Sequence, residues 1–297
     1  MERERSFIVS AAPMEKPTSA VDRILAKASE VAVLPQVVFK IMEMTGSENA
    51  SASSLETAIV IDPGFSARIL TQANSAYFAL PRKVTSIREA IMFVGFKSVR
   101  QLAMTIGVFD MFLGKNDRGS LRRRGWWRQS LDAAVCAKAI AEHGRQVDPD
   151  IAFTCGLLHL IGKTLLDRYD PVMFDKVVAL MERGAPDFMA EKAVYECDHI
   201  EVNMGASGLW GFPEELIAGL DYLQPTDEGE EIMAIRALTA AASRIARQTV
   251  EGANPNDMSL VVPDWAIEGL NWTPDSAQQM IAIGKQAIAD SKALMSR

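Results

Sequence analysis

The chain has 297 residues, 48% hydrophobic and 23% charged, enough for one large or two medium domains around a buried core. That composition excludes a disordered chain, and a formal net charge of -7 argues against a partner with a phosphate backbone or an anionic membrane. Cys136, Cys155 and Cys197 are odd in number, scattered and without CxxC spacing, so reduced thiols in a cytoplasmic protein are expected.

Residues 1–18 carry charges around a three-residue apolar stretch, too short for a signal-peptide core, and read as a flexible tail. No later apolar run approaches a membrane span. Pro35 opens a helix in which Val37, Val38 and Ile41 share one face. Ser53 or Ser54 is expected to cap the next helix, with Glu56 in its first turn. Asp62 and Pro63 form a cap and first-turn pair for a helix burying Ile69, Leu70 and Ala73. LPRKV at 80–84 interrupts the helical pattern, Ser86 caps IREAIMFV, and Gly95 separates it from FKSVRQLAMTIGVFDMF.

The segment GKNDRGS, 114–120, is the clearest internal break and divides a lobe of 19–113 from one of 120–297. Beyond it, apolar residues recur at three- and four-residue spacing, and most segments end at glycine or restart at proline. Thr273 and Pro274 start a closing helix. Strand-like alternation is absent, so the fold class is all-α: a two-lobed helical bundle. No Walker A loop, GxGxxG turn or GxSxG elbow occurs, which removes support for nucleotide hydrolysis, dinucleotide binding and serine-hydrolase chemistry.

Several segments resemble the HDOD domain, a degenerate relative of the HD metal-dependent phosphohydrolases of bacterial signalling. In the first lobe these are LPQVVFKIMEM and IDPGFSARILTQANSAYFALPRKVTSIREAIMFVGFKSVRQL; in the second, WWRQSLDAA, FTCGLLHLIGKTLL and HIEVNMGASGLWGFPEELIAGL. The resemblance implies an HD-domain/phosphodiesterase-like C-terminal lobe and a role in signal transduction as a regulatory output or interaction module with a protein partner.

An HD-type hydrolase gathers histidine and carboxylate ligands from several helices so that a bound ion can activate water. The resemblance places Gln129 where the first histidine is expected, and His159 is followed by Leu160 instead of aspartate. His199 matches a family histidine; Tyr222, Leu223 or Gln224 stands where the next ones would fall, and LTAAASR lacks the late aspartate. The resemblance therefore implies no catalytic residue, no metal and no cofactor, with Gln129, His159, Lys163 and His199 lining a vestigial pocket. A small regulatory ligand such as a nucleotide is a further candidate occupant. The alternative is a metal-dependent phosphohydrolase or phosphodiesterase with an altered site in which His159 and His199 still hold metal.

Each candidate also has a structural reading. His159 lies among Leu157, Leu158 and Ile161 and reads as a hydrogen-bonded core histidine. Lys163, one helical turn on, either meets phosphate or makes a salt bridge. His199 follows Glu196 and Asp198 and suits a pairing with a nearby carboxylate. Asn74, Ser75 and Tyr77 fall at a helix end and suit carbonyl capping; with Arg82 and Lys83 they could instead meet a partner. In LRRRGWWRQS, 121–130, arginines beside Trp126 and Trp127 raise single-strand nucleic-acid binding, against a core tryptophan at a helix start.

Overall fold

Short polar side chains and prolines set where the helices begin. In this computed structural model, residues 19–31, 36–44, 51–75, 78, 80–113, 117–250 and 260–295 are described. The expected tail, Pro35 and Tyr77 lie outside them. Among the described residues there is no strand, and the all-α expectation holds.

The first helices are α1 (Ala20–Val31), α2 (Gln36–Glu43), α3 (Ala52–Val60), α4 (Pro63–Ala73), α5 (Ile87–Val94) and α6 (Phe96–Leu113). Asp62 accepts the Phe65 N–H at 3.0 Å ahead of Pro63, and Ser86 accepts that of Glu89 at 3.1 Å, both as expected. The cap of α3 differs. Ser51 holds it, in a reciprocal box with Ser54, so Ser53 and Ser54 are inside the first turn. Three serines lie within four residues, and only the one with extended backbone can serve as the cap.

The remaining helices are α7 (Ser120–Gly144), α8 (Pro149–Leu158), α9 (Ile161–Tyr169), α10 (Pro171–Glu182), α11 (Asp187–Tyr195) and α12 (His199–Leu209), followed by α13 (Glu214–Leu220), α14 (Glu230–Gln248), α15 (Asp264–Gly269) and α16 (Pro274–Met295). Asp148–Pro149 and Asp170–Pro171 repeat the Asp–Pro start of α4. Every residue from 150 to 158 is buried, which makes α8 the central rod of the bundle. α7 and α14 flank it, and an added Cβ at Gly156 would meet the Ala134 backbone at 2.6 Å.

One continuous apolar cluster runs from Val37 in α2 to Ile288 in α16, on both sides of the expected break at 114–120 (114–116 lie outside the described residues). A second cluster joins Ile24 and Leu25 of α1 to Leu165 and Leu166 of α9, Phe174 and Val177 of α10, and Val202 and Ala206 of α12. In the first turn of α7, facing the end of α6, Arg123 is fully buried. It ion-pairs with the buried Asp167 and, at 2.6 Å, with Asp117, and it donates Nε to the Phe112 carbonyl at 3.1 Å. The last carbonyls of α6 thereby gain a partner inside the protein.

Candidate functional site

The site is built at the elbow between α8 and α9. His159 caps the end of α8, and Leu160 precedes α9. Asn203 of α12 fixes this elbow: its Nδ2 donates to the His159 carbonyl at 2.7 Å, and its Oδ1 accepts the Gly162 N–H at 2.6 Å. A Cβ at Gly162 would lie 2.0 Å from the His199 carbonyl oxygen, so the glycine lets α9 touch the start of α12.

Lys163 follows on α9 with its side chain only 7% exposed. Its Nζ stands 2.5 Å from Asp187 Oδ2 and 4.0 Å from Glu191 Oε1, two carboxylates one turn apart on α11. Burial by itself would raise the Asp187 pKa; the Lys163 ammonium, with a smaller effect of His199, instead holds that carboxyl well below its ordinary range. Glu191 Oε2 accepts the His199 backbone N–H at 2.9 Å and lies 2.5 Å from His199 Nδ1. On the far side of that ring, Nε2 is 3.1 Å from the Tyr222 hydroxyl. Burial pushes the Tyr222 phenol up, so it keeps its proton and stays uncharged beside that nitrogen. The His159 ring meets Tyr222 edge-on at 5.3 Å.

His159 itself is fully buried. Its Nδ1 is 2.7 Å from the Gly156 carbonyl, which fixes the proton there, and among the described residues Nε2 has no hydrogen-bond partner. Burial pushes its pKa down to about 3, so the ring is neutral near pH 7.

Both His199 nitrogens are engaged and the two carboxylates face Lys163 and His199, while His159 Nε2 and Glu191 Oε1 are buried without a hydrogen-bond partner among the described residues. Among the described residues no group of three or more His, Cys, Asp or Glu side chains is placed to hold an ion.

Three of the four expected pocket residues, His159, Lys163 and His199, thus come together through Tyr222 and α11. Gln129 is half-buried on α7, one turn before Ala133 and Ala134, which pack on Gly156. The four residues 145–148 turn α8 back along α7, which puts Gln129 toward the elbow end. No hydrogen bond joins it to His159, Lys163 or His199 among the described residues. The carboxylate beside His199 is Glu191, not Glu196 or Asp198: Asp198 is spent capping α12, and Glu196 pairs with Arg23. Sequence reasoning missed Asp187, Glu191 and Asn203; the four-residue spacing of the two acids on one helix was the only signal for any of them.

The second motif forms a staple at the end of α4. Asn74 donates to the Leu70 and Val84 carbonyls at 2.8 and 2.9 Å and accepts the Val84 N–H at 2.8 Å. Ser75 accepts the Phe78 N–H at 3.3 Å, Arg82 pairs with Glu89 at 2.9 Å, and Lys83 is exposed. Two arginines of the basic run are absorbed internally, Arg122 by Asp167 and Asp175 and Arg123 by Asp167 and Asp117, while Arg124 and Arg128 are exposed; Trp126 packs on Phe174, and Trp127 packs on Phe109 and Phe112. A cavity of about 580 Å³ lies elsewhere, with Asp227, Glu230, Glu231 and Glu268 on its wall and none of the cluster residues.

An all-helical bundle with histidines and carboxylates gathered at a helix elbow is an HD-like scaffold. The HDOD domain family matches residues 31–224, and the chain belongs to that family. An HDOD domain protein of unknown function from Geobacter sulfurreducens is 23% identical, with TM-score 0.71 over 93% of this chain and 95% of its own. A candidate signal-transduction protein of Marinobacter aquaeolei is 20% identical, with TM-score 0.73 over 94% of this chain and 64% of its own. A candidate phosphohydrolase of Shewanella amazonensis is 23% identical, with TM-score 0.65 over 90% of this chain and 97% of its own. These likenesses define the fold. An uncharacterized protein of Treponema pallidum is 22% identical over 239 residues, 80% of this chain, and this chain spans 45% of its length. No described helix is long and apolar enough to cross a membrane.

Proposed function

We propose that the chain is a non-catalytic regulatory module of signal transduction, acting in the cytoplasm by binding a protein partner, on an HD-like scaffold whose metal centre is lost. The observation that carries this reading is Lys163, whose ammonium lies between Asp187 and Glu191. It compensates the carboxylate charge that a cation would otherwise meet. Metal-assisted hydrolysis needs an ion with an open position for water; here the His199 nitrogens are closed by Glu191 and Tyr222. The description of the Marinobacter relative as a candidate signal-transduction protein agrees with a signalling role. The two lobes on either side of 114–120 act as one unit, because the apolar core is continuous between them.

The test is hydrolysis of bis(p-nitrophenyl) phosphate with added manganese, nickel or zinc. The expected rate is that of buffer with metal. Metal-dependent turnover that disappears in His159→Ala would establish the phosphodiesterase alternative instead.

A further inference from the structure

We infer that the outer face of α7 and α10, centred on Leu121, Arg124, Arg128 and Val172, is a docking surface for an acidic amphipathic helix of a partner protein. The inference rests on the interaction-module reading and names the chemistry of the element that the module recognises.

The face is defined by what α7 leaves uncovered. Trp126 packs on Phe174, Trp127 packs on Phe109 and Phe112, and Arg123 and Ser130 are buried. Leu121, Arg124, Gly125 and Arg128 are exposed instead, at the i, i+3, i+4 and i+7 positions of one stripe. Leu121 is 80% exposed, the most open large apolar side chain among the described residues. Arg118 and Arg122 reach across to Asp175 of α10 at 2.7 and 2.8 Å, which sets the two helices side by side. On α10, Val172 is 63% exposed, and Lys176 is exposed one turn later. Gly125 has open space where a side chain would stand, a notch in which a ridge of a second helix fits.

Charge decides which kind of helix the face suits. The aspartates of this region are already committed: Asp117 and Asp167 to Arg123, Asp175 to Arg118 and Arg122, and Asp170 to the cap of α10. Arg124, Arg128 and Lys176 are exposed and make no ion pair among the described residues. The first turn of α7 holds no acidic residue, so the helix dipole adds to the same positive field. A chain of net charge -7 thus carries a basic surface with exposed apolar side chains beside it. A complementary helix covers Leu121 and Val172 with leucine-type residues and meets Arg124 and Arg128 with carboxylates one turn apart. A nucleic-acid strand suits the face less well. Both tryptophan rings are spent on internal packing, and phosphates would leave Leu121 and Val172 in water.

The test pans the full chain against a phage-displayed library of helical peptides with randomised surface positions. Enriched peptides are expected to be acidic and amphipathic. By fluorescence anisotropy they are expected to bind at least about tenfold more weakly to a variant with Arg124→Glu and Arg128→Glu, and to Leu121→Asp. Replacing the glutamates of such a peptide with lysine is expected to restore binding to the charge-reversed variant, which a folding defect would not allow. Enrichment of no peptide, or of peptides indifferent to these changes, would overturn the inference. Tighter binding of a single-stranded oligonucleotide or of phosphatidylglycerol vesicles, lost in the charge-reversed variant, would overturn it too and assign the face to nucleic acid or membrane. None of these readouts involves metal or turnover, so failure here and failure of the non-catalytic reading are distinguishable.

Discussion

Lys163 is the residue on which the chemistry of the elbow turns. Replacing it with methionine leaves Asp187 and Glu191 without the buried ammonium, and losing one member of a buried pair costs about 3–5 kcal/mol. The sign of its pH dependence follows from Asp187, whose folded pKa lies below its unfolded one. Such a group contributes stability above its unfolded pKa, about 4, and loses it as pH falls further. Lys163→Met is therefore expected to lower the urea midpoint strongly at pH 7, and the gap to wild type should narrow below about pH 4. An equal gap at both pH values would show that the pair is not charged in the native protein. His159 is shifted in the same direction: with its folded pKa at about 3, it stays neutral while the unfolded chain takes up a proton below about pH 6.5, so it too lowers stability as pH falls. Its NMR signals are expected to stay still between pH 8 and 5; a midpoint near 6.5 would contradict its burial. In the sequence, His159 and His199 stood out because histidine is scarce, with three in the chain. Asp187 and Glu191 did not, since their four-residue spacing is a weak signal among 38 acidic residues.

Among elements, those that are locally determined were legible. Asp62–Pro63, Ser86 and Thr273 announce helix starts because a cap is a contact between near neighbours, and each is found at its place. The register of one helix on another was not legible, because it depends on glycines whose partners are far away in sequence. Gly162→Ala is the sharpest test of such a contact: its Cβ would lie 2.0 Å from the His199 carbonyl, a backbone atom that cannot swing aside. A loss of about 3 kcal/mol or more is expected in urea unfolding, at the top of the range for overpacking. An unchanged midpoint would mean that α9 and α12 are farther apart. Asn74→Ala is expected to cost about 2 kcal/mol in urea unfolding, because the Val84 N–H and carbonyl lose their side-chain partner.

At the scale of the whole molecule, the helical composition was visible in the spacing of apolar residues, which is a property of the chain itself. The fate of the arginines at 122–124 was not. A basic run beside two tryptophans reads the same whether it faces nucleic acid or closes on aspartates, and Asp167 and Asp175 lie more than forty residues on. Arg123→Ala removes a fully buried charge from Asp167 and is expected to cost about 3–5 kcal/mol, whereas Arg124→Ala, at an exposed position, is expected to leave the thermal midpoint unchanged. Equal effects of the two would show that the run is solvated. The central claim, that the HD-like centre of this chain is closed by its own side chains, is tested most directly by elemental mass spectrometry on untagged protein purified without chelators. Less than about a tenth of an equivalent of any transition metal is expected. A stoichiometric metal that is lost in His159→Ala would contradict the account.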